Sequence, residues 1–168
     1  MTSRHVVFSH GKDSGPWGTK ITALAETAEA AGFDVLSVDY RGIDSPADRV
    51  ARLVEGCGSL SESPVLVGSS LGAFVSWEAS LSVRPGGLFL MAPALLLPAL
   101  PPLRNPGVAC PLAIVHGWHD EVVPCDDSIR FARQHRAALH LLDSDHGLHD
   151  QLDALRDLFA HFLLSEVG

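Results

Sequence analysis

Basic residues are scarce in this chain: 12 Lys and Arg stand against 20 Asp and Glu, a formal net charge of −8, and the cations form no run. Such a surface repels a phosphate backbone, so nucleic acid is not an expected partner. Cysteine is equally sparse. Cys57, Cys110 and Cys125 are odd in number and share no metal-type spacing, which argues against a disulfide framework and for packed free thiols in a cytoplasmic protein. No apolar run approaches the length that crosses a bilayer, and Met1 to His5 lead straight into a short apolar stretch with no signal-peptide core. Neither a membrane nor secretion is therefore expected. Internal repeats and linkers are missing too, so one domain spanning 1–168 is the simplest organisation.

What the chain does have is apolar residue, 46% against 19% charged, as a buried-sheet protein needs. Short apolar runs alternate with segments of helical spacing. His5 to Ser9 reads as a strand, and Ile21, Leu24, Ala25 and Ala28 mark one face of a helix stopped by Gly32. Phe33 to Tyr40 is a second strand, and Ser45 followed by Pro46 opens a helix through Leu53 that Gly56-Cys57-Gly58 closes. Pro64 to Ser69, Gly87 to Ala92, Leu112 to His116 and Ala138 to Leu142 are further strands. Asp126 to His135 is compatible with a helix, and Leu152 to Leu163 carries an amphipathic one. The Leu- and Pro-rich segment 94–110 is too broken for a long helix and too short for a lid domain. The expected fold is a single three-layer α/β/α domain with about six mainly parallel strands, covered by helices on both faces.

In such sheets functional groups gather at the carboxyl ends of the strands. One stretch there is distinctive: Gly68-Ser69-Ser70-Leu71-Gly72 sits between an apolar strand and the helix-compatible Ala73 to Ala79. Glycines two before and two after Ser70 let strand and helix approach closely and leave the hydroxyl exposed on a strained turn. A serine hydroxyl needs a base to become a nucleophile at neutral pH, and an imidazole needs a carboxylate to fix its tautomer. Asp120 follows the fifth strand and His146 follows the sixth, in the order Ser, Asp, His. Asp143 and Asp145 compete as the acid, but Asp120 occupies a strand end of its own. The Leu71 amide is a natural oxyanion donor, and the loop after the first strand offers the Lys12 amide as a second. Two His-x-x-His pairs, His116/His119 and His146/His149, sit at loop starts beside glycine and not on a helix face, so no metal is expected; His116 reads as a packed strand-end residue.

Taken together, Ser9-His10-Gly11, Val38-Asp39-Tyr40-Arg41-Gly42, Gly68-Ser69-Ser70-Leu71-Gly72, Met91-Ala92-Pro93, His116-Gly117-Trp118-His119-Asp120 with Val123-Pro124, and Asp145-His146 resemble the α/β-hydrolase superfamily in its small, lidless serine-hydrolase branch. The resemblance implies Ser70 as nucleophile, Asp120 as acid, His146 as base and the Leu71 and Lys12 amides as oxyanion hole, with no cofactor. It also implies a fold lacking the family's first two strands and its cap, hence an open site. The expected activity is cleavage of a carboxylic ester or similar acyl bond in a small-molecule substrate, with Trp17, Leu95, Leu96 and Trp118 on the apolar side of the pocket. A thioester, amide or carbon–carbon bond, or a binding protein that kept the fold and lost turnover, remain alternatives. The uncovered sheet edge could pair with a second subunit as a homodimer.

Overall fold

The computed structural model describes residues 4–168. Six strands, β1 (His5–Ser9), β2 (Asp34–Val38), β3 (Val65–Ser69), β4 (Gly87–Met91), β5 (Leu112–Gly117) and β6 (Ala138–Leu142), form one sheet in the order β2-β1-β3-β4-β5-β6. Every neighbouring pair is parallel. Parallel neighbours need crossover connections, and the sequence supplies a helix for most of them: α1 (Thr19–Ala30), α2 (Pro46–Cys57), α3 (Leu71–Val83) and α4 (Cys125–His135), with α5 (Leu152–His161) after the last strand. Only the β4–β5 connection lacks one. It is the Leu- and Pro-rich segment 94–110.

Alternate residues of each strand serve opposite faces. Val7, Leu66, Leu88, Leu90 and Ile114 pack with Leu53, Phe74, Trp77 and Phe131 of the α2, α3 and α4 layer. Val6, Phe8, Val67, Phe89, Met91 and Val115 pack with Ile21, Leu24, Leu155 and Phe159 of the α1 and α5 layer. The central strands β3, β4 and β5 are buried throughout, whereas β2 and β6 at the edges are only partly so. This explains why the central runs read as continuously apolar.

Local chemistry sets the helix ends. Ser45 Oγ accepts the Asp48 amide at 3.3 Å with Pro46 in the first turn, and Gly32 takes φ 85° just past α1. Helix α3 is buried on nearly all sides from Leu71 to Ser80, in keeping with its apolar sequence. Its one acid, Glu78, is 4% exposed and would be costly unpaired. It accepts the backbone amides of Arg104 and Asn105 at 3.0 and 3.1 Å, pinning the irregular 94–110 segment to the helix. None of the described helices is long and apolar enough to cross a membrane. The three cysteines are free; Cys57 is buried, and burial pushes its thiol up to about 11.

Candidate active site

Ser70 stands between β3 and α3 with φ 55° and ψ −118°, a conformation that L-residues rarely hold. Its neighbours enforce it. A Cβ on Gly72 would run into the Ser9 carbonyl of β1, and one on Gly68 would come within 2.6 Å of Ala73 Cα. The Ser70 amide donates to Met91 O at 3.0 Å, and its carbonyl accepts the amides of Ala73 and Ala94 at 3.0 and 3.1 Å. The turn is thus held from β4 and from the segment beyond it as well as from its own helix.

The β5 and β6 loops converge on the same edge. Gly117 lies so close to the Ser144 and Asp145 carbonyls that no side chain would fit, and the Trp118 and His119 amides donate to Leu142 O and Ser144 O at 2.9 and 3.0 Å. That contact brings three side chains from three loops into a row. His146 Nε2 lies 3.1 Å from Ser70 Oγ, and His146 Nδ1 lies 2.6 Å from Asp120 Oδ2. Asp143 and Asp145 are turned elsewhere: Asp143 pairs with His119 at 2.7 Å, and Asp145 accepts the Gly147 amide. With the carboxylate on Nδ1, His146 carries its proton there and presents Nε2 to the serine as an acceptor.

Asp120 has no solvent-exposed side-chain surface. Burial by itself would raise its pKa, but the Val123 amide, the His146 imidazole and the Val122 amide together outweigh it and hold the carboxyl below its ordinary value. Oδ1 accepts the amides of Val122 and Val123 at 2.8 and 2.7 Å, so the charge is stabilised by donors that cannot move away.

A cavity of about 720 Å³ opens at Ser70 and His146. Gly11, Lys12 and Leu71 line it, and among the described residues neither the Lys12 nor the Leu71 amide donates to a protein acceptor. The Lys12 loop is held by Arg49, a buried side chain whose Nη1 and Nη2 donate to the Gly11 and Lys12 carbonyls at 3.2 and 3.4 Å, while Nε donates to Ile43 O at 2.7 Å. His10 closes the loop from below. Its Nδ1–H donates to Gly11 O and its Nε2 accepts the Tyr40 amide, both at 2.8 Å; burial pushes this imidazole down from its ordinary value, as the accepting role requires.

The apolar wall differs from the expected one. Trp17 and Trp118 are 54% and 53% exposed and do not line the cavity. Leu95 is buried in the core, and with Leu96 it borders a separate groove against α4. The wall is built instead by Ala94, Leu97, Ala99, Leu100, Val122 and Val123. Leu97 and Leu100 bracket a turn in which the Leu100 amide donates to Leu97 O at 3.0 Å, and both line the cavity. Irregular backbone of that kind has no periodicity to read. Lys20 also lines the cavity, with Nζ 3.5 Å from His146 O, and burial pushes its amine down to about 8 against the pull of Asp120 and Asp145. In the sequence Lys20 is a lone cation beside the helical stripe of Ile21 and Leu24, with no spacing that ties it to the strand ends. Arg49 carried no sequence signal. Among the described residues no group of three or more His, Cys, Asp or Glu side chains is placed to hold a metal ion.

A protein of the α/β-hydrolase superfamily from Xanthomonas campestris pv. campestris is 36% identical, with a TM-score of 0.88 over 96% of this chain and 99% of that one. Est1E from Butyrivibrio proteoclasticus has a TM-score of 0.82 at 18% identity, over 99% of this chain and 89% of its own. A serine hydrolase without a lid, also from Xanthomonas campestris, has a TM-score of 0.74 at 18% identity, covering 96% of this chain and 81% of that one. No curated protein matches the sequence. The model of the alpha/beta hydrolase family matches residues 6–167, nearly the whole length over which the sheet, the turn at Ser70 and the converging loops have been described, and the chain belongs to that family.

Proposed function

We propose that this hydrolase is a serine hydrolase that cleaves a carboxylic ester or a similar activated acyl bond through an acyl-enzyme. The observation that carries the reading is the row from Ser70 Oγ through the His146 ring to Asp120, with two successive contacts of 3.1 and 2.6 Å, beside a cavity where, among the described residues, the Leu71 and Lys12 amides donate to no protein acceptor. In this reading Ser70 Oγ forms a bond to the acyl carbon as its proton passes to His146 Nε2. The electron pair displaced onto the carbonyl oxygen is met by the amides of Leu71 and Lys12. Collapse expels the alcohol, which takes the proton from His146. Water then attacks the acyl group with the same imidazole as base, releasing the acid and restoring Ser70.

Leu97, Leu100, Val122 and Val123 suit an uncharged acyl chain. Asp120, whose charge is fixed by its own loop, orients His146 and supports the imidazolium that forms. Labelling with a fluorophosphonate probe, followed by peptide mapping, tests the reading. Label on Ser70 that is absent from Ser70→Ala supports it. A folded wild type that takes up no label and turns over no generic ester overturns it in favour of a binding protein on the same fold.

A further inference from the structure

Asp120 serves two histidines. Besides His146 Nδ1, its Oδ2 lies 2.9 Å from Nε2 of His116, the residue four positions earlier at the end of β5. His116 is fully buried, and every polar atom of its ring is engaged. Nε2 also faces Val123 O at 3.0 Å, and Nδ1 lies 2.7 Å from Ser128 Oγ on α4. The tautomer follows from the partners. Nε2 faces two acceptors, so it carries the hydrogen; Nδ1 is then the acceptor, and the Ser128 hydroxyl donates to it.

We propose that His116 is a positioning residue for the proposed active site, and that its Nε2–H, oriented by Ser128, holds the Asp120 carboxylate in the plane that His146 needs. The inference rests on the serine-hydrolase reading. Its physical basis is a count of donors. Oδ1 takes two backbone amides and Oδ2 takes two imidazole N–H groups, so all four lone-pair directions of the carboxylate are filled. Three of these donors, the two amides and His116, take no part in proton transfer, whereas His146 gains and loses a proton at Nε2 while its Nδ1–H stays on Asp120. Without His116 the carboxylate is free to rock about its Cβ–Cγ bond on the Oδ2 side. Val123 O also loses a donor, and it lies in the loop that carries Asp120. An error of about 1 Å in a reacting group costs on the order of a hundredfold in rate.

The test uses the whole chain and p-nitrophenyl acetate, with the fluorophosphonate labelling rate as a second readout. His116→Leu removes the donor, and kcat is expected to fall about 10- to 100-fold with KM within about twofold. His116→Gln places an amide N–H near the position of Nε2 and is expected to recover most of the loss. His116→Asn, whose shorter side chain reaches only the Nδ1 position, is expected not to. This amide pair keeps the test decisive if the leucine variant fails to fold. In an Asp120→Ala background the loss from His116→Leu should shrink to less than about twofold, because its target is gone. A His116→Leu enzyme with wild-type kcat, equal impairment of the Gln and Asn variants, or an undiminished loss in the Asp120→Ala background overturns the proposal. If wild type labels at Ser70 and His116→Leu labels at the same rate, only the role of His116 falls. If wild type does not label at all, the hydrolase mechanism falls and His116 with it.

Discussion

Gly72 of α3 and Ser9 of β1 meet backbone to backbone, so closely that a single added methyl would overlap the Ser9 carbonyl. The contact lets the helix that follows Ser70 lie directly against the strand that leads to Lys12, and so sets how the two candidate oxyanion donors face each other. Gly72→Ala must push β1 and α3 apart. It is expected to lower stability by about 3 kcal/mol, with a Tm drop of about 6–12 °C by calorimetry.

The backbone at Ser70 stores strain that glycine would not feel. Ser70→Gly and Ser70→Ala both remove the hydroxyl, so both are expected to abolish ester turnover. Ser70→Gly should nonetheless be the more stable of the two, by about 1 kcal/mol in urea unfolding. At an ordinary helix position the order would be reversed.

Arg49 holds the Gly11-Lys12 loop by its carbonyls and has no carboxylate within salt-bridge distance among the described residues. Arg49→Met keeps the stem and removes the donors. It is expected to lower kcat about tenfold or more by loosening one oxyanion donor, while leaving fluorescence and secondary structure near wild type. Arg49→Lys should not restore activity, because one ammonium cannot reach three carbonyls in different directions.

Lys20 gives a pH signature. Its amine is pushed down to about 8 from an ordinary value of 10.5, chiefly by burial, so between those two pH values the unfolded chain binds more protons than the folded one. Stability associated with this group therefore rises with pH across the window, and the cost of the buried charge is fully present below it. Lys20→Met should stabilise the protein at pH 7 by up to about 3 kcal/mol. The advantage should vanish as pH approaches 10.5, as urea titrations of both proteins at pH 7, 9 and 10.5 would show.

Much of this protein was legible in its sequence because the relevant signals are local. The continuous apolar runs of β3, β4 and β5 declare a buried parallel sheet, since only strands covered on both faces can be apolar at every position. Gly68 and Gly72 declare the tight turn at Ser70, and Asp120 and His146 stand where strands end. Ser45 with Pro46 fixes the start of α2 through contacts within one turn.

Other features were decided only by tertiary structure. Leu95 and Leu97 are the same residue type two positions apart, yet one enters the core and the other lines the cavity, and the irregular backbone there has no periodicity that would tell them apart. Arg49, Lys20 and Glu78 gained their roles from backbone groups far along the chain, and no spacing rule links a side chain to a carbonyl or amide on another element. His116 shows both halves at once. Its place at the end of a buried strand was plain from the sequence, but its partners on the following loop and on α4 depended on how β5 delivers the chain to the sheet edge. The sequence determined which residues are present at the strand ends; packing of the loops beyond those ends decided which of them meet.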